Sequence, residues 1–476
     1  MSHTTTVTNE APGFYKLSWL QRIGFGSGDL AQNLIYQTIC MYLLFFYTDI
    51  YGLDAGDAAV MFLIVRLVDV AWDPLVGTFV DKHTPKLGKY RSYLVLAGIP
   101  LSGLAILCFW NGMADQDYLT KLIYAYVTYV GLSMLYTLIN VPYGALNSSL
   151  TRDTDEITIL TSTRMFMANC GGLAVGSGLP LLVKALSRSK FVSENVAMSK
   201  DPEAWFMTMT LYALAGLFLL FFCFSQCKER VVMDAKDTEN VKVSDLWMEF
   251  TTNRPLRVIA YFFITAFAMM SVGNAAGSYF MQSNLHGTPE EMSIFMGLGS
   301  IPSFIFMPLV PAIKRAIGKK NMFYAFLTCA IVGMAILYFV AKLDHPSMML
   351  VYVAQFIKST GVIVATGYMW ALVPEVISYG EYTSGKRIAG IVNALTGIFF
   401  KAGMALGGVV PGFVLAYVGY NSEVTEQTPM AEEGILWLVC VIPALLLGLA
   451  MWIISKYELT DEKIDEINRE IEKRNA

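Results

Sequence analysis

Charge is scarce in this 476-residue chain: Asp, Glu, Lys and Arg make up 15% of it, against roughly 25% in soluble domains. With 55% hydrophobic residues and a mean hydropathy of +0.51, that scarcity excludes an ordinary soluble globule and assigns the chain to a lipid bilayer. The net charge of −4 leaves no basic surface for nucleic acid. Cysteine is limited to Cys40, Cys108, Cys170, Cys223, Cys227, Cys329 and Cys440. Their odd number and lack of a CxxC pair argue against a disulfide framework, and they read as packing residues. The four histidines (His3, His83, His286 and His345) fall in tails and loops. Zinc-ligand spacings, a P-loop and GxSxG are all missing, so no catalytic residue, resident metal or cofactor is assigned and the chain is not read as an enzyme. The polar start up to about Trp19 lacks the short apolar core and cleavage site of a signal peptide, so the first apolar segment reads as a retained helix.

What the chain has is long apolar runs. A spanning helix needs about 20 largely apolar residues. About twelve candidates begin near residues 27, 58, 93, 121, 160, 207, 256, 291, 322, 348, 388 and 433, so the expected fold is an all-α integral membrane protein. Lys and Arg cluster at 82–91, 228–257 and 314–320 and again after 455, whereas loops 51–57, 283–292 and 418–433 contain none. The positive-inside rule then puts both termini in the cytoplasm. The expected organisation is a tail (1–26), a six-helix bundle (27–227), a central cytoplasmic loop (228–255), a second six-helix bundle (256–455) and an amphipathic tail (456–476). The halves echo each other: GTFVDKHTPKLGKYR follows the second helix and PAIKRAIGKKN the eighth, each with a Gly-Lys pair in a basic turn. Paired halves around a cavity are the architecture of secondary transporters.

The second helix carries Arg66, Asp69 and Asp73 at i, i+3 and i+7, on one face. Each charge at bilayer depth costs roughly 2.5–3.5 kcal/mol on insertion scales, so this face must line a polar interior. Two carboxylates a turn apart there suggest a cation site. Asp29, Gln32, Asn33, Tyr36 and Cys40 share a face of the first helix, and Tyr136, Thr137 and Asn140 a face of the fourth, just before Pro142. Such side chains serve as glue between helices or as paired donors and acceptors for sugar hydroxyls. Arg164 opens the fifth helix, where it either snorkels or binds. Lys401 lies more than ten residues from either end of its apolar segment, so a carboxylate partner is expected, with Asp69 or Asp73 the natural candidate. Gly403 and Gly407 form a GxxxG that reads as a close helix contact. Trp370 stacks on a sugar ring or on a neighbouring helix.

The stretches GFGSGDLAQN, LLFFYTDIYGL, VRLVDVAWDP, DKHTPKLGKYR, YTLINVPYGAL, WALVPEVISYGEYTSGKR and FFKAGMALGG run nearly end to end through the chain. Together they resemble the glycoside–pentoside–hexuronide:cation symporters, the melibiose-carrier group of the major facilitator superfamily. The resemblance implies twelve helices in two pseudo-symmetric halves and a bacterial inner-membrane protein that imports a sugar or glycoside with H+ or Na+. It implies cation coupling at Asp69, Asp73 and Thr137, with any Na+ held at Asp69 and Asp73. Sugar contacts would come from Gln32, Asn33, Tyr36, Tyr136, Asn140, Arg164, Trp370 and Lys401, and gating from Arg66, Glu375, Tyr379, Glu381 and Arg387. Asn33 and Asn140 stand where the melibiose carrier has aspartates, and Gly144 where it has a tryptophan, which resembles the glucuronide and xyloside branches. Trp72 stands where sodium-using relatives have an amide, and an indole offers no oxygen to a hard cation, so a proton is favoured. A functional monomer is expected. The alternatives are a cation-independent facilitator on the same fold and, in a different class, a membrane sensor.

Overall fold

The structure is a computed structural model that describes residues 15–83, 85–151, 154–188, 198–229, 243–384, 389–424 and 426–475. Nine helical stretches in it are long and apolar enough to cross a membrane. Three further rods complete a set of twelve. α1 is Trp19–Thr38, prolonged by π-helical Ile39–Leu43 and Phe46–Ile50; α2 is Ala55–Lys82; α3 combines Ser92–Leu96 with Gly98–Cys108. The polarity of α1, the charges of α2 and the shortness of α3 set these three apart from the nine. The remaining rods of the first half are α4 (Tyr118–Leu150), α5 (Thr154–Leu186) and α6 (Pro202–Gln226). A short helix, Val243–Thr252, precedes the second half. That half begins with α7, Arg254–Tyr279 continued by π-helical Phe280–Asn284. α8 is broken into Pro289–Gly297, Ile301–Phe306 and Val310–Ile317 where prolines 302, 308 and 311 interrupt its ladder. α9 is Lys319–Ala341, α10 joins Met348–Met369 to Leu372–Ser384, and α11 is Ala389–Tyr417. α12 runs from Pro429–Leu436 through π-helical Trp437–Val441 into Ile442–Ser455, and α13 is Asp461–Asn475.

The apolar runs locate these rods to within a few residues, except that α1 begins well before residue 27. Ser18 starts it: its hydroxyl accepts from Gln21 N while the Gln21 side chain accepts from Ser18 N, a capping box that overrides the polarity of the first turns. The tail pattern of isoleucines forms α13, whose Ile467 is buried while Ile464 and Ile471 pack on the core beside the end of α10.

Packing repeats between the halves. α1 lies on α5 and α6 as α7 lies on α11 and α12, and the two halves meet where α2 packs on α11 and α5 on α8. Small residues permit the close approaches. A Cβ on Gly403 would stand 2.7 Å from the Ile264 carbonyl, and one on Gly412 would stand 2.9 Å from the Ala55 carbonyl. The Gly-Lys echo is structural too, since Gly88 (φ 124°) and Gly318 (φ 81°) both turn the chain through a region that side chains disfavour. In the first half, Glu229 then accepts the backbone N–H groups of Lys89, Tyr90 and Arg91 at 2.8–2.9 Å. In the second, Lys319 donates to Glu375 at 2.7 and 2.8 Å and to the Leu459 carbonyl.

On the face opposite the termini the halves are locked together. Buried Asp49 of α1 accepts from Tyr420 at 2.9 Å and lies 3.4 Å from Lys200, which also donates to the Ser422 carbonyl. Thr48 and Tyr279 share a hydrogen bond, Ser177 and Ser293 each donate to the other's carbonyl, and Lys184 pairs with Glu290 at 2.5 Å. On the face that carries the termini, ion pairs among the described residues brace each half: Arg22–Glu156 at 2.7 Å in the first, and Lys319–Glu375 and Arg254–Glu458 in the second. The latch between the halves described above lies on the opposite face.

Replacing Glu229 with Ala strands three backbone donors, a loss of about 1–3 kcal/mol for each group left unsatisfied. The expected result is a lower apparent Tm in detergent, with Glu229→Gln, which keeps an acceptor, falling between the two.

Candidate functional site

Two polar groups meet near mid-depth. The first lies between α1, α4 and α5. Helical spacing stacks Gln32, Asn33 and Tyr36 on α1, and Tyr136 with Asn140 on α4, so the two faces meet. The Asn140 amide donates to Gln32 Oε1 at 3.1 Å and to the Tyr136 hydroxyl at 3.4 Å. The rings of Tyr36 and Tyr136 stack with centroids 5.0 Å apart. Asn33 donates to the Asp29 carbonyl and accepts from Gln37, which also lines a cavity of about 180 Å³ between the halves. Arg164 does not snorkel. Its Nε donates to Asp29, and its guanidinium lies 4.8 Å from the Tyr143 ring, which stacks on Phe25. This wall presents amides and phenols, with its one charge pair internally neutralised.

The second group lies between α2, α4 and α11. Arg66, Asp69 and Asp73 share a face but take different partners. Asp69, 6% exposed, accepts from Ser133 Oγ at 2.5 Å and from Arg66 at 3.4 Å. Asp73 Oδ2 pairs with Lys401, so an ion pair joins the halves at depth; Asp73 Oδ1 is buried with no hydrogen-bond partner among the described residues. Tyr36, Cys40 and Tyr129 surround Arg66, tying this group to the first. Thr137 is buried one turn along α4 from Ser133. The Trp72 indole N–H turns away and donates to the Met134 carbonyl at 3.1 Å.

The other sequence candidates lie apart. Trp370 makes edge-on contacts with Phe263 at 4.9 Å and Phe267 at 6.1 Å, and its ring lies 6.2 Å from Phe400, the neighbour of Lys401. Glu375 holds Lys319 and accepts from the Tyr457 hydroxyl at 2.8 Å, inside the second half. Tyr379 and Glu381 are half-buried on the same helix, and Arg387 lies outside the described residues. Sequence reasoning missed Ser133, Asp49, Lys200, Tyr420 and Lys358. Ser133 could have been found, because it sits one turn before Thr137 on the polar face of α4. The Asp49–Tyr420 contact spans 371 positions and leaves no local signal.

Chemically, the amide wall can exchange hydrogen bonds with hydroxyls, and Asp73 Oδ1 can take a proton. Asp69 is occupied by Ser133 and Arg66.

The family model described as "MFS/sugar transport protein" matches residues 24–461. The chain is 44% identical over 460 residues to the "Uncharacterized symporter YnaJ" of Bacillus subtilis, covering 96% of each. It is 31% identical over 460 residues to the "Glucuronide carrier protein homolog" of Escherichia coli, again covering 96% of each. Among solved structures, the nucleoside transporter NupG superimposes with a TM-score of 0.62 at 14% identity, over 92% of this chain and 100% of that one.

Removing one member of the Asp73–Lys401 pair leaves a charge at depth without its partner. Asp73→Asn and Lys401→Gln are therefore each expected to lower the melting temperature by more than the double substitution does. The coupling should lie between about 0.5 and 3 kcal/mol, as for residues in direct contact. Thermal melts of the four proteins in detergent supply the cycle.

Proposed function

We propose that this chain, which belongs to the MFS/sugar transport protein family, imports a glycoside, pentoside or hexuronide by symport with a cation. It is a multi-pass membrane transporter and not an enzyme. We place it in the bacterial inner membrane with both termini in the cytoplasm, which makes the latched face the periplasmic one. The observation that carries the coupling is the Asp73–Lys401 pair, formed between α2 of one half and α11 of the other.

In alternating access the two halves rock about a midplane site. A charge pair that bridges them resists the motion while both members are charged. Protonation of Asp73, whose Oδ1 is unpartnered, would release Lys401 and free the halves to move. Asp69 stays tied to Ser133 and Arg66 on its own half and shapes the field in which Asp73 titrates. Sugar hydroxyls would compete for the amides of Gln32, Asn33 and Asn140 and stack near Tyr36 and Tyr136. Trp370, Tyr379 and Glu381 would act from the second half as the cavity closes. The turned-away Trp72 and the occupied oxygens of Asp69 support a proton over sodium. Thermodynamic linkage then requires bound cation and bound sugar to tighten each other by the same factor.

Proteoliposomes separate the readings. Labelled pentosides, glucuronides and galactosides are offered under an imposed proton or sodium gradient. Uphill uptake driven by protons is expected, lost in Asp73→Asn while sugar exchange survives. Full accumulation by that variant would sink the coupling assignment, and equilibration without accumulation in the unaltered protein would make it a facilitator.

A further inference from the structure

Among the described residues, four cationic side chains lie at membrane depth around the space between the halves. Arg164 is paired with Asp29, Arg66 with Asp69 and Lys401 with Asp73. Lys358 is different. It lies ten residues into α10, about 15 Å from the start of that helix. Among the described residues it makes no ion pair and no hydrogen bond; its ammonium lies near the Cys440 thiol and 5.9 Å from the centroid of the Phe295 ring, at the limit of a cation–π contact.

Lys358 lines the cavity of about 180 Å³ between the halves, together with Gln37, Asn169, Asn274, Gln355 and Ser359. No Asp or Glu is among the described residues of that lining. One turn before Lys358, Gln355 is 5% exposed; its amide donates to the Phe295 carbonyl at 3.3 Å, but its Oε1 is buried with no partner among the described residues. The cavity wall thus holds a lone cation and an unsatisfied acceptor side by side. Both are costly at this depth unless something that enters the cavity completes them.

We propose that Lys358 is the residue that reads an anionic group on the transported solute. The solute is then a sugar-sized polyol bearing one oxyanion, a carboxylate or a sulfonate. Its hydroxyls reach Gln355, Gln37 and the amide wall, and its charge reaches Lys358. Arg164 already holds Asp29, and Lys401 holds Asp73 in this structure, whereas Lys358 holds no carboxylate among the described residues. The assignment rests on the transport reading above and narrows it to acidic solutes.

The test is stabilisation of the purified, full-length protein in detergent by a glucuronide, by the glucoside of the same aglycone and by a glycoside sulfonated at C6. A charge-assisted contact predicts half-maximal stabilisation by an acidic glycoside at a concentration about tenfold lower, or more, than by the glucoside. Carboxylate and sulfonate are told apart by which acidic glycoside binds tighter. Lys358→Gln should abolish the preference for the acidic glycosides, and Lys358→Arg should restore it. Equal binding of acidic and neutral glycosides by the unaltered protein overturns the proposal without any variant, as does a preference that survives in Lys358→Gln. If the glucoside stabilises and neither acidic glycoside does, the inference fails while the transport reading stands. If none of the three stabilises, the sugar-symport reading above fails along with this inference, while membership of the transporter family stands.

Discussion

An ionised side chain in hydrocarbon has no water to solvate it, so it finds an opposite charge within the protein or faces a cavity. The interior follows from that constraint. Two of the central ion pairs stay inside one half: Asp29–Arg164 between α1 and α5, and Arg66–Asp69 within α2. They can persist through any rigid-body movement of the halves. Asp73–Lys401 is different in kind, because its members belong to different halves.

The hydrogen-bonding pattern gives the movement its direction. Asp49, Lys200, Tyr420, Thr48 and Tyr279 close one face with contacts between side chains from both halves, while Arg22–Glu156 and Lys319–Glu375 brace each half separately at the other. The first set must break in a reversal and the second need not. Since α2 on α11 and α5 on α8 are equivalent contacts under exchange of the halves, both sides of the hinge are built alike.

Hydropathy and charge made most of the fold legible, because a helix must satisfy its own backbone in lipid and so advertises its length. Shared faces were legible too, and Gln32, Tyr36, Tyr136 and Asn140 do meet. Partnerships across helices were not. Arg66, Asp69 and Asp73 look equivalent on a helical wheel, yet Asp69 turns to Ser133 and Asp73 to Lys401. Arg164 could be read as snorkelling or as binding, and its bond to Asp29 depends on how α5 is rotated against α1. Lys358 escaped notice for the same reason: its lack of a partner is a property of the space around α10 and not of the segment's composition.

The π-helical segments of α1 and α7, Phe46–Ile50 and Phe280–Asn284, occupy corresponding places at the closed end of each half. A π turn carries about one residue more than the α turn it replaces, and one residue rotates everything beyond it by about 100°. In α1 a second π turn, Ile39–Leu43, lies between the stretch that bears Asp29, Asn33 and Tyr36 and the stretch that bears Thr48 and Asp49, and it sets the two to different bearings. A single rod thus serves as two independently aimed tools, and the lineage could retune the latch at its tip without redrawing the surface that meets the cargo.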